Sequence, residues 1–198
     1  MKLVPRRNLL ALFIILVAAC APARQTIDQS TPALSLKQPV TITFEVADQR
    51  SSVASRSLEN NYAGKVTGVA FGSDFPTPDG RPAADYVKDM LERAANKANA
   101  QLGAGDGVIG EKNVALTLNY FEWSSRPQGN AALLTMRYDV QITVAEANGN
   151  IINSKQFRDE FSMTLPSNTP ALWLSDYVYP AALQRIMTDE SIILSLAQ

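Results

Sequence analysis

The sequence predicts an α+β protein: a two-layer sandwich in which an antiparallel sheet of about four or five strands carries two main helices on one face. Two observations predict this class. Apolar and polar residues alternate along several segments, whereas two other segments carry apolar residues at helical spacing. The segments follow the order strand, helix, three strands that fold back on one another, helix. That order is typical of helices packed on one face of an antiparallel sheet.

The chain begins with a segment that has the features of a secretory signal. Basic residues precede an unbroken apolar run at 9–17, and small residues separate that run from the single cysteine, Cys20. The run is too short to cross a bilayer as a mature helix. The ending Val17-Ala18-Ala19-Cys20 resembles a bacterial lipobox, in which the chain is cut before the cysteine and the thiol is acylated, for example with palmitate. We therefore expect residues 1–19 to be a cleaved signal peptide and Cys20 to be the lipidation site.

Residues 20–39 are predicted to be the lipidated cysteine and a flexible tether. Prolines lie here among Gln, Ser and Thr, and too few apolar side chains are present to offset the entropy lost on ordering. Fully extended at about 3.3 Å per residue, the tether spans roughly 60 Å. Residues 40–198 are then expected to form a single periplasmic α+β domain, because a chain of this length supports one core.

The composition excludes several classes of chemistry. The chain has no histidine, which excludes Ser-His-Asp triads, Cys-His pairs and His-ligated metals. Acylation of Cys20 would leave no thiol for a disulfide, a nucleophile or a metal ligand. Loss of three of the 18 basic side chains with the signal leaves 15 against 19 acidic ones, a net charge of −4. This charge argues against a nucleic-acid partner. We expect no catalytic residue, no cofactor and no metal.

The first elements of the domain are a strand, a short strand and a helix. Val40–Ala47 is predicted to be a strand, because apolar and polar residues alternate along it. Val66–Phe71 is predicted to be a short second strand among several glycines. A helix is predicted from Pro82 to Leu102, with apolar residues at helical spacing and with Gly103 closing its C terminus.

The second half is predicted to form three antiparallel strands. Residues 134–144 alternate most regularly, and Asn148-Gly149 suits a tight turn, so the strand at 151–165 should fold back as a hairpin. The strand at 114–123 should have two distinct faces. The pattern places Phe121 and Trp123 on the face opposite to Val114, Leu116, Leu118 and Tyr120.

Two helices are predicted at the C terminus. The first covers about 171–187, and Pro180 is expected to kink or interrupt it, since proline lacks the N–H that a helix interior requires. Thr188-Asp189-Glu190-Ser191 has the composition of a capping stretch. A short final helix should follow at 192–196.

Five short motifs are spread over most of the mature chain: Ala47-Asp48-Gln49-Arg50, Arg137-Tyr138, Asn148-Gly149-Asn150, Lys155 to Arg158, and Asp189 to Ile192. Together they resemble the YajG-like family of bacterial lipoproteins. The resemblance implies an outer-membrane lipoprotein with an α+β domain that faces the periplasm and has no assigned activity. It also implies delivery to the outer membrane, because the residue after the cysteine is Ala21 rather than Asp.

A recognition patch is the candidate site, formed by Asp48, Arg50, Trp123 and Trp173. Asp48 and Arg50 belong to the family-like motif at the end of the first strand. The alternative is a structural role, in which Asp48 caps a turn and Arg50 pairs with a carboxylate. Trp123 and Trp173 belong to an aromatic-rich second half. Most of its aromatic side chains are expected to pack in the core, and a minority exposed together would mark a partner or lipid-contact surface.

Two other features resemble functional motifs but are not expected to be sites. Gly103-Ala104-Gly105-Asp106-Gly107 is glycine-rich, yet it follows a helix and precedes a strand, which is the reverse of a nucleotide-binding fingerprint. Asp159 and Glu160 are adjacent in a strand, so their side chains should point to opposite faces and should not act together as acid and base.

The sequence favours a non-catalytic, outer-membrane-anchored lipoprotein that acts as a binding or accessory module, with an envelope protein or the cell wall as partner. Two alternatives stay open: a lipid or glycan carrier or hydrolase that uses carboxylates alone, and an auxiliary lipoprotein of an envelope transport system. An apolar groove beside Trp123 or Trp173 would favour a carrier. Two carboxylates about 5–10 Å apart in a cleft would favour a glycosidase-like site.

Overall fold

The computed structural model describes residues 32, 40–55, 58–68, 73–98, 100–103 and 111–198. The predicted signal peptide, Cys20 and all of the tether except Pro32 lie outside these residues, so the cleavage, lipidation and domain boundaries stay predictions. In the described part of the chain, no helix is long and apolar enough to cross a membrane.

The described residues form seven strands and four α-helices, in agreement with the predicted α+β class. The elements are β1 (Thr41–Asp48), α1 (Ser51–Ala54), β2 (Tyr62–Val66), β3 (Ser73–Pro76), α2 (Ala83–Lys97), β4 (Gln101–Leu102), β5 (Lys112–Gln128), β6 (Ala131–Glu146), β7 (Ile151–Pro166), a 3₁₀ turn (Ala171–Trp173), α3 (Leu174–Met187) and α4 (Glu190–Ala197). The predicted strands at the start of the domain and in its second half are confirmed. The second strand lies earlier than predicted, and residues 69–71 of that prediction lie outside the described part.

The sheet is organised around β5. One edge of β5 pairs with β6 in antiparallel fashion along its length, and β6 pairs with β7 in the same way. The other edge of β5 is shared by two strands in parallel: β1 pairs with 112–118, and β2 pairs with 123–125. The prediction of a purely antiparallel sheet is therefore wrong. Parallel pairing of β1 with β5 requires a crossover, and α2 lies in that connection.

A bulge in β5 reverses the faces predicted for its second half. Leu118 pairs with Val140 and Tyr120 with Asp139, so Asn119 is an extra residue in the ladder. Beyond a bulge the alternation changes phase. Phe121 therefore joins the buried face, and Tyr120 lies on the other one. The predicted assignment of Tyr120, Phe121 and Trp123 was wrong because it assumed an unbroken period of two.

The helices cover one face of the sheet and form one core with it. α2 packs on β1, α3 on β6, and α4 on β6 and β7. The core residues include Phe44, Leu116 and Val140 from the sheet and Leu91 and Ile186 from the helices, all buried. Each such side chain contributes about 1.5–3 kcal/mol when fully buried. We call the opposite side of the sheet the outer face.

The helix ends differ in part from the predictions. α2 ends at Lys97, five residues before the predicted end, because Gln101 and Leu102 pair with β1 as β4. The Gly103 N–H donates to the carbonyl of Ile42 (3.0 Å), so Gly103 extends this pairing and does not cap the helix. α3 continues through Pro180, which therefore does not interrupt it. Asp189 caps α4 by accepting the Ser191 N–H (3.1 Å), as predicted.

Candidate functional site

Asp48 and Arg50 form an ion pair at the end of β1, with the guanidinium fully buried (0% exposed). The guanidinium donates from Nε to Asp48 Oδ1 (2.9 Å) and from Nη2 to Asp48 Oδ2 (2.7 Å). Its Nη1 donates to the carbonyl oxygen of Tyr62 (2.7 Å), at the start of β2. A bidentate pair with a further backbone contact joins the two strands in a fixed geometry. The arrangement matches the structural alternative for these two residues, and it places Arg50 in the interior.

The electrostatics of Arg50 follow from this enclosure. Burial by itself lowers the pKa of Arg50, but the hydrogen bond with Asp48 and the nearby negative charges outweigh burial and raise the pKa above its ordinary value. The guanidinium therefore stays charged while buried. Removing either partner would leave an uncompensated charge in the interior, which costs about 3–5 kcal/mol.

Trp123 is also an interior residue, with 2% of its surface exposed. Its Nε1 donates to the Ser175 hydroxyl of α3 (2.9 Å), and its ring stacks on Phe75 of β3 with the centroids 6.0 Å apart. Gly64 of β2 lies directly against the indole, and a Cβ atom at this position would overlap the ring. Trp123 therefore connects β2, β3, β5 and α3.

Trp173 is half-buried at the end of the 3₁₀ turn. Arg50 and Trp123 lie in the interior, whereas Asp48 and Trp173 are partly exposed. The structure therefore does not assemble the four predicted residues into one exposed patch.

A cluster of buried polar groups surrounds the start of α3. The Tyr86 hydroxyl of α2 donates to the carboxylate of Asp176, and the Tyr179 hydroxyl donates to the carbonyl of Ala63 in β2 (3.4 Å). Burial raises the pKa of both phenols, and the bond with Asp176 raises that of Tyr86 further. Both phenols therefore stay protonated at neutral pH and serve as donors that join the helices to each other and to the sheet.

The carboxylates of β7 do not form an acid–base pair. Glu160 accepts a hydrogen bond from Arg137 Nε (2.7 Å) on the outer face. Asp159 accepts one from Arg185 Nη1 of α3 (2.7 Å). The prediction that these neighbours point to opposite faces is confirmed. Among the described residues, no group of three His, Cys, Asp or Glu side chains could hold a metal ion.

A groove of about 460 Å³ lies on the outer face, where β2, β5, β6 and β7 are side by side. We call it the outer groove. Most of the residues that line it are polar or charged, and several are aromatic. They are Tyr62, Lys65, Thr67, Tyr120, Glu122, Trp123, Ser124, Arg126, Leu133, Thr135, Arg137, Glu160 and Ser162.

At one end of the outer groove, the charged groups are bound to one another. Arg137 forms an ion pair with Glu160 (2.6 Å) and lies opposite Glu122 in the β5–β6 ladder. The hydroxyl of Ser52 in α1 donates to Glu122 Oε1 (3.0 Å). Burial raises the pKa of Tyr120, and the charge and hydrogen bond of Glu122 raise it further. We call this the ion-paired end.

The other end is rich in hydrogen-bond donors that the fold does not use. Lys65 of β2 lies beside Ser124 of β5, and Arg126 follows two residues later on the same face. Within the described residues, these three side chains make no hydrogen bond or ion pair. The nearest residue of opposite charge in the ladder is Asp74 of β3, across from Lys65. We call this the donor-rich end.

Most residues of this groove were not predicted from the sequence. Lys65 and Arg126 are far apart in the chain and meet only because β2 occupies the second half of the β5 edge. One signal was present: Tyr120, Glu122, Ser124 and Arg126 alternate with Phe121 and Trp123. The alternation shows a polar strand face, but its place in the groove depends on the bulge at Asn119.

No family model matches the chain, and no curated protein matches it. Similar solved structures include a protein from Xanthomonas campestris of the DUF330 family, with 15% identity, a TM-score of 0.50, and coverage of 84% of this chain and 90% of that one. An uncharacterised lipoprotein B from Nitrosomonas europaea has 14% identity and a TM-score of 0.40, with the same two coverages of 84% and 90%. A minor lipoprotein from Acinetobacter baumannii has 12% identity and a TM-score of 0.38, and covers 76% of this chain and 90% of that one.

At these identities a likeness shows the fold alone, and the chain shares the fold of the Xanthomonas protein. Several of the other structural neighbours are bacterial lipoproteins. The resemblance to the YajG-like family stays a prediction, since no family model matches.

Proposed function

We propose that the chain is an outer-membrane-anchored lipoprotein whose periplasmic domain acts as a non-catalytic binding or accessory module, and that the outer groove is its binding site. One observation carries the proposal. The outer groove is open and polar, and donors at one of its ends have no partner within the described part of the chain. Polar groups left unpaired in a concave surface are available to a ligand, whereas those in the core are already satisfied.

The same groove supports binding more than hydrolysis. Its two carboxylates are both engaged, Glu160 by Arg137 and Glu122 by Ser52. A general acid or base must reach its substrate, and an oxygen of each carboxylate is already occupied by a bond within the fold. The described core is filled by Trp123, Phe121 and Tyr179 at the point where a lipid cavity would run between sheet and helices. This packing makes an internal lipid carrier the weaker alternative.

The anchoring half of the proposal rests on the sequence around Cys20 and is tested there. In cells fed a labelled fatty acid, the full chain should incorporate label and fractionate with the outer membrane, whereas Cys20→Ser should do neither. Ala21→Asp serves as the matched variant, because it should still incorporate the label but should no longer be found in the outer-membrane fraction. Label on Cys20→Ser would contradict the lipobox interpretation.

The binding half is tested by cross-linking from two matched serines of β7. Both lie on the exposed outer face, and both bond to a β6 threonine: Ser162 to Thr135 (2.8 Å) and Ser154 to Thr143 (3.0 Å). Only Ser162 lines the outer groove. A photoactivatable residue at 162 should give a specific adduct with an envelope protein or glycan in intact cells, and one at 154 should not. Equal adducts from both positions would contradict a groove-centred site.

A further inference from the structure

We infer that the donor-rich end of the outer groove is an anion site that takes a phosphate-bearing group, through Lys65, Ser124 and Arg126. The inference rests on the proposed function, because it names the ligand class of the same groove.

The geometry brings the three donors within reach of one ligand. Lys65 and Ser124 are register partners on neighbouring strands, which lie about 4.8 Å apart. Arg126 is two residues beyond Ser124, or roughly 7 Å along the same strand face. Lysine and arginine side chains are long enough to close these distances from either side of the serine. An ammonium, a hydroxyl and a guanidinium can therefore meet over a single group.

The ion pairs elsewhere in the molecule make these two cations distinctive. Most basic side chains in the described part of the chain pair with carboxylates, as Arg50, Arg81, Arg93, Arg158 and Arg185 do. Lys65 and Arg126 have no such partner there, yet they line one cavity. At the ion-paired end, Glu160 is paired with Arg137 and Glu122 accepts from Ser52, and among the described residues neither carboxylate forms an ion pair with Lys65 or Arg126.

The chemistry of the donors selects a phosphate. Arginine presents a planar fork that fits two oxygens of a tetrahedral anion, and lysine adds a point charge with three rotatable donors. The hydroxyl of Ser124 supplies a further neutral donor. A phosphate monoester offers three terminal oxygens, and a diester offers two terminal and two ester oxygens, in both cases in a tetrahedral array that the three donors can approach from different sides. A carboxylate offers two oxygens in one plane. The source is a free phosphate ester or a phospholipid headgroup, which share this chemistry.

An NMR titration of the full-length chain in non-ionic detergent tests the site at constant ionic strength. The probes are inorganic phosphate, glycerol 3-phosphate and glycerophosphoglycerol, which is a headgroup diester without acyl chains, and acetate is the comparison anion. We expect the amides of Ser124 and Arg126 to shift on titration. Preference for the diester would identify a lipid headgroup as the source, and preference for the monoester a free phosphate. Either result supports the site.

Variants make the assignment specific. The double variant Lys65→Gln/Arg126→Gln should lower phosphate affinity about tenfold. This loss corresponds to the free energy of about one charge-assisted hydrogen bond. Arg158→Gln, an exposed arginine on the same face that is paired with Asp139, should change affinity less than about twofold. Asp74→Asn should tighten binding about twofold, because it removes the negative charge opposite Lys65 in the β2–β3 ladder.

Three outcomes would overturn the inference: no shift with any probe, an unchanged affinity in the double variant, or acetate binding as tight as phosphate binding. The test does not depend on Cys20 or on cellular location. Failure of the anchoring or cross-linking experiments would therefore refute the proposed function and leave a measured phosphate site intact. Failure of the NMR titration would refute the phosphate site and leave the proposed function intact.

Discussion

Two groups of charged side chains differ in whether the fold supplies their partners. At the end of β1, Arg50 is enclosed, and its donors are used by Asp48 and by backbone carbonyls. At the donor-rich end of the outer groove, Lys65 and Arg126 bind nothing in the described part of the chain. A buried charge whose partners lie within the fold is costly to unpair, whereas a charge without a partner on a concave, solvent-exposed surface costs little and is available to a ligand.

The largest expected effect comes from breaking the enclosed pair. Arg50→Gln should lower the free energy of unfolding by about 3–5 kcal/mol, because Asp48 is left unpaired at a largely buried site. The measurement is urea denaturation followed by tryptophan fluorescence. Arg158→Gln is the control, since Arg158 also donates from Nε and Nη2 to an aspartate, here to the single oxygen Asp139 Oδ2, at an exposed position. Its loss should cost less than about 1 kcal/mol. Equal losses in the two variants would refute the distinction between enclosed and exposed charge.

The second effect uses two adjacent residues of β2 that face opposite sides of the sheet. Gly64→Ala should destabilise the domain by about 1–3 kcal/mol, because the added methyl group overlaps the indole of Trp123. Lys65→Ala, on the outer face, should cost less than about 0.5 kcal/mol. Thermal unfolding followed by circular dichroism measures both. A Gly64→Ala protein as stable as the parent would show that Trp123 is not packed against β2 as described.

An intermediate case is Asp189, which caps α4 and binds Lys155 Nζ (2.7 Å). The Lys155 ammonium and the Ser191 hydroxyl hold the pKa of Asp189 below its ordinary value. A carboxyl whose pKa falls on folding stabilises the protein above its unfolded pKa of about 3.9, and this stabilisation disappears as the pH falls through the folded value.

Asp189→Ala should therefore lose about 1 kcal/mol at pH 7, and the difference from the parent should shrink as the pH falls below about 4. Urea denaturation over a pH series measures it. A difference that stays constant down to pH 2 would contradict a contribution from the ionised carboxylate. The effect should lie between those of Arg50 and Arg126, as the partial exposure of the pair predicts.

The smallest expected effect on stability is at the donor-rich end. Lys65→Gln and Arg126→Gln should each change the free energy of unfolding by less than about 0.5 kcal/mol, because neither side chain has a partner to lose in the described structure. Urea denaturation under the conditions used for Arg50→Gln makes the values comparable. A loss above about 1 kcal/mol in either variant would mean that the fold depends on these cations.

The sequence predicted those elements whose signals are local. The hairpin of β6 and β7 follows from strict alternation and from Asn148-Gly149, where Gly149 adopts a φ of 86°. The cap at Asp189 and the apolar face of α2 likewise depend on residues within a few positions of one another. In patterns of this kind the residues that interact are neighbours in the sequence, so the element can be recognised without the tertiary structure.

The wrong predictions concern features that depend on pairing between strands distant in the sequence. The phase change at Asn119, the parallel pairing of β1 and β2 with β5, and the early end of α2 each depend on which strand lies alongside. The same is true of the outer groove, since Lys65 becomes a neighbour of Ser124 only through the sheet. Of the predicted site, the structural role weighed for Asp48 and Arg50 and the core packing weighed for Trp123 both agree with the structure. The partners that hold these residues, such as Tyr62 and Ser175, come from other elements and could not be read from the local sequence.

The most direct test of the outer groove as the functional site combines cross-linking with the double variant. A photoactivatable residue at Ser162 is placed in the full chain with Lys65→Gln and Arg126→Gln, and adduct yield in intact cells is compared with that from otherwise unmodified protein. The account predicts that the adduct is lost while the amount of folded protein and its membrane fraction stay the same. An adduct formed at unchanged yield would show that the donor-rich end does not hold the ligand.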